Sequence, residues 1–396
     1  MVKKIAILGS TGSIGRNALR VIDALNASCK GSGQRYEVVA ISAYNNVELL
    51  ALQTKKYKPK YAAVTDAGHY KTLCLAVDGV DVQVLSGPES LVEIAQLDDV
   101  DVLLTAVVGA AGLPAVLAAA KKGKRLAIAN KEPLVIAGEL LTKAVRDSGG
   151  MILPIDSEHS AVFQAMQAGS CDEVSRVILT SSGGPFRRMT AADMQNASLE
   201  AVLSHPVWSM GAKITVDSAT MMNKALEVIE ARWLFDMPVD KIEVLIHPES
   251  VIHSLVEFID GSIIAQLSNP DMCLPIQYAL TYPKRLGGIT NRLHLEEMGR
   301  LTFEKPNFTM FRALPLGFEV ARTGGTAAVV FNAANEAAVQ EFLAGRIKFA
   351  IIMDLVEHCL NSHDVRRNVS LEELLEIDAW ARSEVLRRAK KMALSN

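Results

Sequence analysis

Ile5-Ala6-Ile7-Leu8 runs straight into glycines at positions 9, 12 and 15, and this combination restricts the fold more than any other feature of the chain. Four apolar residues in a row load both faces of a strand, which suits a parallel sheet covered on both sides. Gly9, Gly12 and Gly15 make a G-x-x-G-x-x-G turn that leads into a helix predicted from about Ser13 to Leu25. Glycines so spaced let backbone amides approach a pyrophosphate held on the helix N-terminus. A glycine turn alone is weak evidence; its context decides.

That context is regular alternation. Strands are predicted at Tyr36–Ser42, Tyr61–Val64, Val82–Leu85, Val102–Val108 and Leu126–Ala129, with helices such as Val47–Lys56, Ser90–Gln96 and Pro114–Lys122 between them. Such β-α repetition specifies a parallel, Rossmann-like sheet over residues 1–150. After the last of these strands come Asn130-Lys131-Glu132-Pro133, with Pro133 suited to a first helical turn. These polar residues fall at the carboxyl edge of the sheet, where open α/β sheets bind ligands.

A second unit is expected over 151–290, a catalytic α/β domain. Its strands are predicted at Met151–Ile155, Arg176–Thr180, Lys241–Ile246, Ser254–Phe258 and Ser262–Gln266, and its helices at His159–Ala168 and Thr220–Leu234, with a hairpin turn at Asp260-Gly261. Its sheet reads as mixed, and a mobile flap loop is expected near 202–212. Residues 291–312 read as a linker. Beyond it, Leu316–Thr323, Thr326–Ala344, Phe349–Asn361 and Leu371–Lys391 predict a C-terminal helical bundle over 313–396, the last helix opened by a capping box at Ser370-Leu371-Glu372-Glu373.

Composition excludes several classes. Across 396 residues, 41 basic side chains meet 44 acidic ones, a net charge of −3, so no global field favours nucleic acid or an anionic bilayer. No apolar run reaches the roughly 18–20 residues of a spanning helix. The five cysteines, Cys29, Cys74, Cys171, Cys273 and Cys359, are scattered, with no Cys-x-x-Cys pair. They argue against a disulfide framework or a thiolate metal site. A chain that enters its first strand pattern directly after Met1-Val2-Lys3 is expected in the cytoplasm.

The chemistry concentrates in the middle of the chain. At Pro154-Ile155-Asp156-Ser157-Glu158, continuation of the strand would aim the Asp156 and Glu158 carboxylates at one face, and oxygen donors without Cys or a His pair favour Mg2+ or Mn2+. Taken alone, such a pair is more often a solvated strand end or a helix-start acid pair. Ser182-Gly183-Gly184, after a strand, offers hydroxyls and amides to an oxyanion. In Asp217–Glu227, Asn223, Lys224 and Glu227 share one helix face, so Ser218, Asn223 and Lys224 can hold a phosphate and Glu227 a metal; the plain alternative is a solvated Lys-Glu pair. His205-Pro206-Val207-Trp208-Ser209-Met210-Gly211 lacks any period, and reads either as a lid hinged near Gly211 or as a loop anchored by Trp208. His247 and His253, six apart, suit structural roles better than a zinc pair.

Gly9-Ser-Thr-Gly-Ser-Ile-Gly15, Asn130-Lys131-Glu132, Pro154–Ser160, Ser182–Phe186, His205–Gly211, Val216–Lys224 and Asn332–Glu336 together resemble the 1-deoxy-D-xylulose 5-phosphate reductoisomerase family over nearly the whole chain. That resemblance implies a homodimeric enzyme converting 1-deoxy-D-xylulose 5-phosphate into 2-C-methyl-D-erythritol 4-phosphate with NADPH and a divalent cation, a step of non-mevalonate isoprenoid synthesis. It further implies that Asp156, Glu158 and Glu227 hold the metal and that Ser182, Ser218, Asn223 and Lys224 grip the phosphate. Lys131, Ser157 and His205 would address the sugar backbone, and Trp208 would lie over the substrate. Gly9, Thr11, Gly12, Ser13, Ile14, Asn130, Glu132 and Gly211 would meet the cofactor.

One turn departs from the family pattern, which is Ala-Gly followed by Lys or Arg and then Asn. Here it reads Ala43-Tyr44-Asn45-Asn46. With neither a base nor an acid there, Ser42, Asn45 and Asn46 are expected to offer the adenosine 2′-phosphate neutral hydrogen bonds, Tyr44 to stack on the adenine, and NADPH to be preferred by a reduced margin. Two other classes compete: a metal-free Rossmann dehydrogenase of a phosphorylated or semialdehyde substrate, which predicts a catalytic Cys, and a nucleotide-sensing protein without catalysis.

Overall fold

The protein is described by a computed structural model covering residues 2–29, 33–204, 207–208 and 210–394. Its chain divides into two compact units, residues 1–133, 139–160 and 271–292 in the first, and 134–138, 161–270 and 293–396 in the second.

The first unit is built on seven parallel strands, β1 (Val2–Leu8), β2 (Arg35–Ala43), β3 (Tyr61–Val64), β4 (Gln83–Ser86), β5 (Val102–Thr105), β6 (Arg125–Ile128) and β7 (Met151–Pro154). They lie in the order β4-β3-β2-β1-β5-β6-β7. Ile5 through Leu8 are completely buried, as a run apolar on both faces requires. The order reverses between β1 and β5, and a doubly wound sheet opens its ligand crevice beyond the carboxyl ends at such a reversal. The glycine turn after β1 stands there.

Three features differ from expectation. β5 stops at Thr105, three residues early, and a short 3-10 turn over Gly109–Gly112 precedes the next helix. β7 pairs in parallel with β6, so the strand expected to open the second domain closes the first sheet instead. The expected boundary at 150/151 is displaced accordingly. The helix Cys273–Thr281, which has no counterpart among the predicted elements, packs on the helix Ser13–Ser28 in this same unit. Lys3 Nζ donates to Leu280 O at 2.8 Å and Arg125 Nη1 to Tyr282 O at 2.9 Å, placing cations on the carbonyl end of that helix, where they are favoured.

The second unit holds a mixed sheet of β8 (Val174–Ser181), β9 (Ile242–Ile246), β10 (Ile252–Phe258) and β11 (Ile263–Leu267), in the order β11-β10-β8-β9. β8 and β9 are parallel and the other pairs antiparallel. The helix expected from Thr220 to Leu234 is two helices, Ala212–Thr220 and Met222–Leu234, broken where Met221 takes a left-handed conformation at φ 63°. The segment expected as a linker carries Glu304, whose backbone exchanges hydrogen bonds with Ile246. The helix Ala327–Leu343 is buried along almost its whole length, packed on Ile351–Asn361 and Leu371–Leu394. The capping box at Ser370 and Glu373 is formed in both directions, at 2.7 and 3.2 Å. Among the described residues, no helix is long and apolar enough to cross a membrane.

Candidate active site

At the end of β1, Gly9 adopts φ +86°, and a Cβ there would lie 2.6 Å from Ala106 O, so only glycine fits against the chain leaving β5. The turn is pinned from β2: Gly9 N–H donates to Ser42 Oγ at 3.1 Å and Ser10 N–H to Ser42 O at 2.8 Å. Gln53 clasps Ser10 from the next helix, accepting from its hydroxyl at 2.6 Å and donating to its carbonyl at 2.9 Å. The helix beginning at Ser13 has Gly12 at its cap, no side chain capping it and no acid in its first turn. Its leading amides and positive dipole end are therefore left for an anion. Gly12 and Ser13 are exposed, and Thr11 and Ile14 half-buried.

Beyond β6, Asn130 Oδ1 accepts from Thr105 Oγ1 at 2.6 Å. Its Nδ2 is buried with no partner among the described residues, a donor presented at the sheet's carboxyl edge. Glu132 is buried in the turn that follows. At the β2 turn, Tyr44 and Asn45 are exposed, while Asn46 caps the helix Val47–Tyr57 by accepting from Leu49 N–H at 3.2 Å. Ser42 is consumed by the glycine turn, so this corner offers Asn45, the Asn46 amide hydrogens and Tyr44.

Asp156 and Glu158 do not extend a strand. β7 ends at Pro154, and the helix Ser157–Ala165 follows, with Ser160 N–H donating to Asp156 O at 2.8 Å. Both carboxylates thus sit at a helix start, where the dipole favours negative charge. Lys131 Nζ lies 2.7 Å from Asp156 Oδ2, with both side chains largely shielded from water. Ser157 Oγ donates to Glu158 Oε2.

In the second unit, Gly184 has φ +68°, and a Cβ there would lie 2.5 Å from Ser218 O. The Ser182-Gly183-Gly184 turn after β8 therefore lies directly on the backbone of Ser218, bringing two of the expected phosphate segments together. Ser182 Oγ accepts from Gly184 N–H at 3.2 Å. Three residues after Ser218 the chain turns at Met221, and on the next helix Asn223 Nδ2 donates to Glu227 Oε1 at 2.5 Å while Lys224 Nζ meets Glu227 Oε2. Lys224 is 2% exposed and Glu227 0%; this pair is not the solvated one that spacing alone would also allow. His205 lies outside the described residues. Trp208, half-buried, sets its ring 6.4 Å from that of His253, and Gly211, exposed, caps the helix Ala212–Thr220. His247 and His253 are buried and hydrogen-bonded to Thr302 and Ser268, as structural histidines would be.

None of the five cysteines is joined in a disulfide. Burial pushes the Cys273 and Cys359 thiols up to about 12, far from a reactive thiolate. Sequence reasoning passed over the roles of Lys213 and Asp217, which pair within Ser218's helix, and of Asn335, whose bond to Asp217 crosses between elements and leaves no local signature.

Taken together, a doubly wound sheet with an uncapped glycine-turn helix, and carboxylates buried against lysines, define a dinucleotide-binding α/β enzyme with acidic stations suited to a hard cation. Three family profiles match: 1-deoxy-D-xylulose 5-phosphate reductoisomerase over residues 5–138, its C-terminal domain over 152–235, and the DXP reductoisomerase C-terminal domain over 267–384. A reductoisomerase of that name from Methylobacillus flagellatus is 47% identical over 98% of each chain, and one from Chlorobium chlorochromatii is 46% identical over 96% of this chain and 98% of its own. The solved Zymomonas mobilis reductoisomerase in complex with NADPH is 42% identical, with TM-score 0.91 over 98% of this chain and 99% of its own. A DOX-P reductoisomerase in complex with NADPH, fosmidomycin and magnesium is 40% identical, with the same TM-score and coverage. This chain belongs to the 1-deoxy-D-xylulose 5-phosphate reductoisomerase family, an oxidoreductase family.

Proposed function

We propose that the chain rearranges and reduces 1-deoxy-D-xylulose 5-phosphate to 2-C-methyl-D-erythritol 4-phosphate, with NADPH as reductant and one magnesium or manganese ion held by Asp156, Glu158 and Glu227. One observation carries the reading: Asp156 and Glu227, both largely shut away from water, are each met by a lysine ammonium, that of Lys131 or of Lys224. A buried carboxylate needs a positive partner, and an all-oxygen donor set suits Mg2+ or Mn2+. The fit of the residues to a hard cation is therefore good. Such an ion supplies Lewis acidity toward a carbonyl and a neighbouring hydroxyl.

Lys224 would hold the substrate phosphate beside Ser182, Ser218 and Asn223, and Glu227 would serve the ion. Lys131 and Ser157, with His205, orient the polar backbone of the sugar, and Trp208 shields it from water. Thr11, Gly12, Ser13 and Ile14 offer the leading amides of their helix to the pyrophosphate, and the open Nδ2 of Asn130 and buried Glu132 face the rest of the cofactor. Gly211 is the remaining residue proposed to meet the cofactor.

A homodimer is the proposed assembly. β11 is an edge strand with Ile263 and Ile264 exposed by 49% and 38%, and an apolar edge of this kind invites pairing with a second copy. Five cysteines without a disulfide suit a reducing cytoplasm. NADPH oxidation followed with 1-deoxy-D-xylulose 5-phosphate tests the function: it should stop on chelation and return with added Mg2+. A rate unaffected by chelator would sink the metal assignment, and no oxidation in the presence of Mg2+ would sink the reaction.

A further inference from the structure

The Asn332–Glu336 stretch is absorbed by none of the roles above, yet its amides are wholly buried. Asn335 Nδ2, on the helix Ala327–Leu343, donates at 2.8 Å to Asp217 Oδ1. Asp217 is 1% exposed and lies immediately before Ser218, near the carbonyl end of the helix Ala212–Thr220. That is an unfavourable place for a carboxylate, because desolvation and the helix dipole both oppose the charge. The acid is held there by two partners, Asn335 on one oxygen and Lys213 Nζ at 2.8 Å on the other, one helical turn back.

The Asn335 end is itself braced. Asn332, one turn earlier, donates to Glu336 at 3.2 Å. Glu336 accepts from Arg382 Nη2 at 2.6 Å, and Arg382 is held in turn by Asp378 on the same helix. The helix Ala327–Leu343 is thus tied to Leu371–Leu394 through Glu336 and, one residue away, to Asp217 through Asn335. On its other side the Ser218 carbonyl receives Met221 N–H at 3.2 Å and bears against Gly184. Ser218 therefore has its backbone gripped from the substrate side and its helix gripped from the rear.

We propose that Asp217 is a positioning residue: through its bond to Asn335 it sets the Ser218 hydroxyl and the turn at Met221, so that the C-terminal helices determine the geometry of the phosphate grip. The inference rests on the reading that Ser218 holds the substrate phosphate. It deepens that reading by placing a determinant of phosphate affinity on a helix assigned no part in binding. Lys213 extends the same bond to the first turn after Gly211, tying the flap end of the helix to its phosphate end.

Fosmidomycin, whose phosphonate stands in for the phosphate, is the probe, with Mg2+ and NADPH present. Asn335→Asp sets two carboxylates against each other and should weaken binding by on the order of tenfold or more, the scale of one charge-assisted hydrogen bond. It should raise KM for the phosphorylated substrate far more than it lowers kcat. The exchange Asp217→Asn with Asn335→Asp rebuilds the bond in reverse and should recover most of the affinity. Lys213→Met, which leaves Asn335 in place, should weaken binding less. Should Asn335→Asp fail to fold, the exchanged pair against wild type still decides. Wild-type affinity in folded Asn335→Asp, or a folded exchanged pair that binds no better than the single variant, overturns the proposal. Ser218→Ala separates the two ideas: if it too binds fosmidomycin normally, the phosphate assignment falls first.

Discussion

Lys131 Nζ lies 2.7 Å from Asp156 Oδ2, joining the residue that opens one helix to the residue that precedes another. In the proposed catalytic state the cation takes this ammonium's place. Lys131→Met removes the competitor, so Mg2+ should raise the thermal midpoint of the variant more than that of wild type, while the ion-free variant loses about 1–3 kcal/mol with the charge-assisted contact taken from a shielded carboxylate. Turnover should fall because the sugar loses its ammonium. A Mg2+-induced shift equal to or below the wild-type shift would show that the lysine and the ion do not compete.

Glu227→Gln should cost stability as well as turnover, because the ammonium it meets, that of Lys224, is buried. Without that carboxylate, an ammonium only 2% exposed loses the ion pair it makes in the core, a loss of roughly 3–5 kcal/mol in comparable cases. Denaturant unfolding should show the single variant strongly destabilised and the pair Lys224→Met with Glu227→Gln much less so. Equal losses in both would mean the two side chains are not energetically coupled.

Asn45 and Asn46 separate binding from folding at the cofactor turn. Asn46→Ala removes a helix cap and should cost about 1 kcal/mol of stability with little change in the NADPH to NADH preference. Asn45→Arg, at an exposed position, should widen that preference, mainly through KM for NADPH. Kinetics with both cofactors decide it; an unchanged ratio in Asn45→Arg removes this turn from recognition of the 2′-phosphate.

Below neutral pH, His363 should be a weak point. Its Nε2 lies 2.8 Å from Thr326 Oγ1, which already accepts Arg366 N–H, so the ring is suited to accept rather than donate. Burial, then the Arg366 charge, lowers its pKa below the ordinary 6.5. The unfolded chain binds that proton more readily, so the stabilisation is complete above about 6.5 and is lost as pH falls through the lowered value. Thermal midpoints at pH 7.5 and 5.5 should drop more in wild type than in His363→Gln, and identical drops would exonerate the ring.

Ile264→Lys places a charge on the β11 edge. Light scattering should show the wild-type chain as a dimer and the variant shifted toward monomer, with its circular dichroism unchanged. A variant that stays dimeric puts the interface elsewhere.

Much of this was legible because burial on both faces writes itself into short apolar runs: β1, β3 and β6 lie within two residues of their predicted bounds, and Asn223, Lys224 and Glu227 meet as their spacing requires. What stayed hidden has physical causes. The helix Cys273–Thr281 is buried all round, so no amphipathic period marks it. The break at Met221 uses a left-handed methionine where glycine or asparagine would have signalled a stop. Asp156 and Glu158 looked strand-borne because Pro154-Ile155 continues the apolar run past the true end of β7. The bonds from Lys131 to Asp156 and from Asn335 to Asp217 join distant parts of the chain, the latter across 118 residues, and nothing local encodes either.

The late return of Cys273–Thr281 to the first sheet has a consequence for synthesis. When β7 leaves the ribosome, all seven strands exist, yet Leu280 and Tyr282, the carbonyl partners of Lys3 and Arg125, are more than a hundred residues away in the growing chain. At roughly 5–20 residues per second, the nascent sheet waits on the order of ten seconds with one face of its first helix bare. The cofactor-binding unit therefore cannot finish folding before about half of the other unit has been made, and a fragment cut near residue 160 would keep that bare face permanently.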